Sequence, residues 1–273
     1  MTVNVRWLGT AGVEFNHEGR VILVDPYLSR LGKVDIFFRP LVPLEGALDT
    51  YLEGMTGDLE AIVCGHTHFD HALDIPGLAR RTKVPVLGCD SLDALMDISG
   101  LQGRVTVCRP HEPVSLDSGA TVTLIPSLHG LVLGRLLLFL GNIDRSLSPP
   151  LRAHRYRLGS MHTVKVELGG TTFMHVGSAG FLERDLEGHR CDVLFLCAAG
   201  WRNTPGYPER VIEILRPSIV VPIHYDDFSL PLEPGKGIRI LRSADIGTFT
   251  ERVRAARHPL TTRRIEPWVK TSF

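Results

Sequence analysis

The sequence predicts an α/β protein, a single four-layered αββα domain over residues 1–273 with an insert at about 131–160. Three observations carry this reading. Short runs rich in β-branched and aromatic residues recur along the chain, bounded by glycine or proline. They form two successive groups, each followed by segments of helical periodicity. No stretch between the groups reads as a linker. One doubly wound parallel sheet is the alternative, but hairpins at the start of the chain count against it.

The opening runs VNVRWLG, GVEFNH and RVILVD read as strands, with His17-Glu18-Gly19-Arg20 as a tight hairpin turn. The third ends at Asp25-Pro26, because proline cannot donate to a strand ladder. Residues 29–50 read as an irregular loop. LEAIVCG is a buried strand that runs straight into HTHFDH. ALDIPGLARRT follows as a helix with Pro76 near its start. Then come VPVLG as a strand, SLDALMDI as a helix, and RVTVC and ATVTLIPS as strands, the last ending at Ser127-Leu128-His129-Gly130. The insert breaks the rhythm with an apolar run, then SLSPP, then RAHRYRLGS. The alternation resumes with HTVKVEL, a turn at Gly169-Gly170 and TTFMHVGSAG. DVLFLCA is a strand and PERVIEILR a helix, with Pro208 suited to its first turn. SIVVPI is a buried strand ending at His224, and GIRIL is a last short strand. The C-terminal tail is weakly patterned.

Thirty basic residues, mostly arginine, balance thirty acidic ones. A chain without net charge has no global field to attract nucleic acid, so no such partner is expected. With 273 residues, 44% of them hydrophobic, the chain can bury a large core unaided, and a metal here would serve chemistry. Five cysteines without a CxxC pair read as reduced, buried thiols. The start MTVNVRWLGT lacks a signal-peptide pattern, which implies a cytoplasmic setting. The run LVLGRLLLFLGNI at 131–143 is shorter than the about 20 residues that span a bilayer, and Arg135 interrupts it. No stable membrane insertion is expected.

The chemistry concentrates in His66-Thr67-His68-Phe69-Asp70-His71. His66 and His68 lie two apart, so in an extended segment they point the same way and can share one metal. Asp70 and His71 are adjacent, so they diverge and can reach a second position where the chain turns into a helix. Imidazole and carboxylate suit Zn²⁺, and also Mn²⁺ or Fe²⁺. Four such groups in six residues at the mouth of an apolar strand would be costly to bury without partners. His129 and His224 also stand at strand ends; either one alone is equally an ordinary strand-end histidine.

The pattern HxHxDH after a buried strand, with later strand-end histidines in this order, resembles the metallo-β-lactamase fold superfamily. The opening WLGTAGVEF…RVILVDPYL is similar to the branch that includes ascorbate-6-phosphate lactonase and N-acyl-phosphatidylethanolamine phospholipase D. The resemblance covers most of residues 2–249 and is loose between 131 and 160. It implies the four-layered sandwich and two divalent ions, zinc first among the choices. One ion would be held by His66, His68 and His129, the other by Asp70, His71 and His224. Asp25 would sit behind the ligands and orient histidines, although capping a turn is a simpler role for Asp before Pro. The family's bridging aspartate is replaced by Ser178 in His175-Val176-Gly177-Ser178-Ala179-Gly180. A neutral hydroxyl is a poor ligand, so Ser178 is expected beside the metals. Two ions bridged by hydroxide, a weak second site, and a one-metal or inactive member are the open outcomes. The first is preferred because six ligands survive.

The resemblance further implies a hydrolase that uses a metal-bound hydroxide on an ester, phosphodiester or lactone. Asp70 is the catalytic candidate, as metal ligand and orienter of the nucleophile. His162, His175 and Asp226 are candidate leaving-group acids, with a structural role the stronger expectation for each. The partner is a small-molecule substrate. The insert follows His129 directly and should overhang the site. Its apolar half and Arg152, Arg155 and Arg157 would suit an anionic amphiphile. The competing reading makes the leucines core or a contact in a homo-oligomer, and the arginines a solvated face. The alternative function is a non-catalytic or degenerate member that binds a ligand or partner, with Ser178 as its support.

Overall fold

The computed structural model describes residues 2–131 and 136–273. Residues 132–135, which include the Arg135 that interrupts the apolar run, lie outside the described residues.

Three strands open the chain: β1 (Asn4–Gly9), β2 (Gly12–His17) and β3 (Arg20–Val24). The expected turn joins β2 to β3 through Glu18 (φ 51°) and Gly19 (φ 80°), the left-handed pair that suits a two-residue hairpin. Next come α1 (Lys33–Phe38), α2 (Glu45–Glu53), β4 (Asp58–Val63), α3 (Phe69–Ala72) and α4 (Ile75–Arg81). They are followed by β5 (Val86–Gly88), α5 (Asp90–Ile98), β6 (Val105–Val107), β7 (Pro113–Ser115) and β8 (Thr121–Pro126). Beyond the insert lie β9 (His162–Leu168), β10 (Thr171–Val176), α6 (Glu183–Leu186), β11 (Val193–Cys197), α7 (Glu209–Leu215) and β12 (Ile219–Ile223). The chain closes with α8 (Ile246–Arg254), β13 (Thr261–Thr262) and β14 (Thr271–Ser272).

The strands build two seven-stranded sheets, ordered β14-β1-β2-β3-β4-β5-β6 and β13-β12-β11-β10-β9-β8-β7. Each is mixed: antiparallel around β1–β3 and β7–β10, parallel across β3–β6 and β10–β13. This replaces the doubly wound alternative with the expected sandwich. Strand alternation sorts the core. In β3, Ile22 and Val24 join Phe15, Phe173 and Phe195 between the sheets, whereas Val21 and Leu23 pack with Leu48, Leu78 and Leu92 under helices. Val211, Ile212 and Phe249 of α7 and α8 cover the second sheet. Two mixed sheets with helices on both outer faces give four layers.

Three local expectations are corrected. The loop at 29–50 contains α1 and the start of α2. Only Ile36 of α1 is buried, so no apolar stripe marks that helix in the sequence. GIRIL is no strand; it makes one isolated bridge, Asp226 to Ile240. The tail holds α8 and two short strands, one on each sheet, with β14 pairing to β1. All five cysteines are free and buried. Among the described residues no helix is long and apolar enough to cross a membrane.

Candidate metal centre

The parallel strands of both sheets end on one side of the sandwich, and the candidate residues follow those ends. Asp25 follows β3, and its N–H donates to the Val63 carbonyl of β4. His66, His68, Asp70 and His71 follow β4 into α3, His129 follows β8, Ser178 follows β10 and His224 follows β12. The sheets are tied together here: His162 N–H donates to Gly65 O at 3.0 Å, and His224 N–H to Thr10 O at 2.8 Å.

Two trios converge, His66 with His68 and His129, and Asp70 with His71 and His224. In each, one ligand atom per residue lies within 4.8 Å of the others. Asp70 Oδ2 is 3.3 Å from His224 Nε2 and 3.9 Å from His71 Nε2. The rings of His66 and His71 are 3.8 Å apart between centroids, so the trios adjoin. The structure thus brings together all six residues that the sequence singled out.

The hydrogen bonds around the trios leave one ring nitrogen free on each of three rings. His71 Nδ1–H donates to Asp25 Oδ2 at 2.8 Å, which leaves Nε2 toward Asp70. His129 Nδ1–H donates to Gly130 O at 2.7 Å, and His68 Nε2–H to Leu138 O at 3.2 Å. His66 is buried, and neither of its ring nitrogens has a hydrogen-bond partner; His224 Nδ1 has none either. Buried polar atoms without partners are rare, and a cation between the rings would satisfy them.

Electrostatics prepares the same outcome. Burial, and then the neighbouring histidines, hold His66 well below the usual imidazole range. Burial pushes His68 down to about 4 and His129 to about 3. Neutral imidazole is the form that binds a metal. Burial alone would raise Asp70, but His71, His224 and His68 outweigh it and keep the carboxyl ionised. Burial likewise opposes charge on His71, but Asp25 and Asp70 outweigh it and raise that ring, so a cation at the second trio would have to displace a proton from it. The donor set of imidazoles and one carboxylate therefore fits a divalent cation.

Asp25 contacts His71 of the second trio, with Oδ1 accepting the Gly65 N–H at 2.6 Å. Ser178 Oγ accepts the Gly130 N–H at 3.0 Å, so the hydroxyl pins the loop that carries His129. The two loops touch backbone to backbone. A Cβ on Gly180 would lie 2.3 Å from Leu128 O, which requires glycine there. Of the other candidates, His175 Nε2–H donates to Ala11 O at 2.7 Å, and His162 Nδ1 is buried without a partner. Asp226 forms a buried ion pair with Arg30 Nη2 at 2.6 Å and accepts the Thr10 N–H at 2.8 Å.

Leu138 and Phe139 of the insert line the cavity over the trios. Arg152, Arg155 and Arg157 are not among the lining residues. Arg152 is exposed and donates to Phe38 O at 3.3 Å, Arg155 is exposed, and the Arg157 carbonyl accepts from Thr67. Sequence reasoning missed Thr10, Arg30 and Asp74. Thr10 and Arg30 have φ of 51° and 46°, and so does the junction residue His224 at 56°. Such backbone states in non-glycine residues have no sequence signature and cluster at functional sites.

A family model described as beta-lactamase superfamily domain matches residues 4–224. A UPF0173 metal-dependent hydrolase of Cupriavidus taiwanensis is 28% identical over 239 residues, 81% of this chain and 73% of that protein. A metal-dependent hydrolase of Paracoccus denitrificans is 28% identical over 237 residues, 84% of this chain and 88% of its own. Among solved structures, a metallo hydrolase from Ignicoccus hospitalis superposes with a TM-score of 0.66 at 21% identity, over 100% of this chain and 99% of that one. CmlA, a diiron beta-hydroxylase from Streptomyces venezuelae, reaches 0.60 at 16% identity, over 99% of this chain and 54% of that one. The matched region runs from β1 to His224, the last of the converging residues, and the chain belongs to the β-lactamase superfamily, with the metallo-β-lactamase fold.

Proposed function

We propose that this metal-dependent hydrolase cleaves an ester, phosphodiester or lactone at a dinuclear centre held by His66, His68 and His129 on one side and by Asp70, His71 and His224 on the other. The observation that carries the proposal is the convergence of both trios around His66, whose ring nitrogens are buried and unpartnered. Zinc is the favoured metal for an imidazole-rich set. Bound there, the ions supply Lewis acidity toward the scissile oxygen and a water made nucleophilic near neutral pH.

The chain's own residues do the rest. Asp70 stays ionised and accepts a hydrogen bond from the attacking water, which aims its lone pair at the substrate. Asp25 holds the proton on His71 Nδ1, so Nε2 faces inward. His129 and His68 are held in single tautomers by the carbonyls of Gly130 and Leu138. Leu138 and Phe139 cover the centre and exclude bulk water. Arg152, Arg155 and Arg157 are not among the residues that line the cavity, so they give no support to an anionic substrate end. Ser178 has a task of its own in the Gly130 contact, which weakens the reading of this position as decay.

The test is metal content by elemental mass spectrometry on protein purified without added metal or chelator. About two equivalents per chain are expected, falling toward one in His129→Ala and in His224→Ala, with hydrolysis lost in both. No metal after loading with Zn²⁺ or Mn²⁺ would overturn the proposal. Ser178→Asp addresses the degenerate alternative: it should lower activity in a site adapted to serine, and raise it in a decayed one.

A further inference from the structure

A cavity of about 500 Å³ lies over the two trios, with His68, Asp70, His129 and His224 at its base. This is ample for a small-molecule ligand. Most of the rest of its wall is apolar, chiefly Leu131, Leu138, Phe139, Phe228 and Leu241. Among the described residues no lysine or arginine lines it. Of its other polar side chains, Ser178, Asn203 and Ser243, the first two are spent on the wall itself. Ser178 Oγ takes the Gly130 N–H, and Asn203 donates from Nδ2 to Leu131 O at 2.8 Å. Leu136 and Leu140, which flank the lining residues in sequence, are 55% and 54% exposed, so the apolar character continues outward.

Among the described residues a charged group placed against this wall would lose its water and find no charged partner. An apolar group would gain instead, by leaving water for the cavity. The polar requirement of the reaction is confined to the base, where the trios meet the scissile group. We propose that the body of the substrate is uncharged and apolar, an acyl or alkyl chain or an aromatic ring, so that the substrate class is a neutral carboxylic ester or lactone. This rests on the hydrolase reading above and narrows it: phosphomonoesters and substrates with a second charge are poor fits.

The test joins a binding and a turnover measurement on the protein as purified with its metal. The uncharged fluorophore N-phenylnaphthylamine is titrated into the parent and into Leu138→Asp and Phe228→Ser, after thermal melting has shown each variant folded. Saturable binding is expected, weakened about tenfold or more in both variants. Nitrophenyl esters from acetate to octanoate are then compared. kcat/KM should rise about threefold per added methylene until the wall is filled. An octanoate analogue with a terminal carboxylate, and nitrophenyl phosphate, should lose that gain. Equal turnover of the carboxylated and neutral esters, or failure of the fluorophore to bind, would overturn the proposal. The two readings separate cleanly. Fluorophore binding by fully metallated protein that turns over neither the carboxylic esters nor the phosphodiester bis-nitrophenyl phosphate would sink the hydrolase reading and leave the apolar cavity standing, whereas turnover of the phosphodiester alone would sink only the substrate class. Turnover that ignores chain length, without fluorophore binding, would sink only the substrate class.

Discussion

Asp25 Oδ2 accepts the His71 Nδ1–H at 2.8 Å while its Oδ1 accepts the Gly65 N–H at 2.6 Å, so one carboxylate braces both ends of the segment that carries His66 and His68. Asparagine has the same shape but only one acceptor. Asp25→Asn must therefore leave one buried donor facing an amide N–H₂, at a cost of about 1–3 kcal/mol. It also removes the charge that favours the Nε2-presenting tautomer of His71. Metal affinity at the second trio should fall about 10- to 100-fold, with the first trio less affected. Competition with a calibrated chelator measures this; unchanged affinity would show that Asp25 only caps its turn.

Ser178 illustrates a second dependence. Ser178→Ala leaves the Gly130 N–H without its acceptor in a buried place. We expect about 1–3 kcal/mol of lost stability in urea unfolding. Weaker metal binding at the trio containing His129 should accompany it, because the freed loop carries that ligand. Gly180→Ala should be worse, since its new Cβ meets the Leu128 backbone rather than a yielding side chain. Stability loss in Ser178→Ala with normal metal binding would limit Ser178 to packing.

Much of this was legible in the sequence, for identifiable reasons. The strands around the site, such as Val193–Cys197, are continuous apolar runs because both faces are covered. The six converging residues were legible because His66 to His71 cluster locally and His129 and His224 close strand patterns. The α8 stripe of Ile246, Phe249, Thr250 and Val253 has helical spacing and was there to be read. What escaped is set by distant contacts. Two-residue strands such as β14 exist because β1 offers an open edge. The arginines of the insert looked like ligands for an anion, but no local pattern tells which way a loop turns its side chains.

Arg30 and Asp226 make a buried ion pair at 2.6 Å, and both also bind Thr10, whose carbonyl takes the His224 N–H. His224 sits at φ 56°, a strained state for a residue with a Cβ, so the network is what holds it in place. Arg30→Met strands the Asp226 carboxylate and should cost about 3–5 kcal/mol. Adding Asp226→Leu should recover much of the stability, because an apolar pair can replace a buried ion pair. Metal binding at the second trio should stay impaired in the double variant, since Thr10 remains unbraced. Recovery of both would mean that the network only fills space.

Asp74 offers the clearest pH test. Its carboxylate is buried and accepts the N–H of Leu28 at 2.6 Å and of Ser29 at 2.8 Å, with the Ser29 hydroxyl as a third donor. Burial outweighs these bonds and pushes the group from 3.8 up to about 6. The folded chain therefore holds this proton more tightly than the unfolded chain. The resulting stabilisation is fully present below about pH 4 and is lost as the pH rises through about 6. Asparagine can accept both backbone N–H groups on its oxygen and donate to Ser29, so Asp74→Asn is a close mimic of the protonated acid. With both proteins stripped of metal, the other titrating groups largely cancel in the comparison. Parent stability minus variant stability should fall by about 2 kcal/mol between pH 4 and pH 7, because each tenfold gain in proton affinity on folding is worth about 1.4 kcal/mol and part of the effect is already lost at pH 4. A difference that stays flat across this range would mean that the three donors hold Asp74 ionised in spite of its burial.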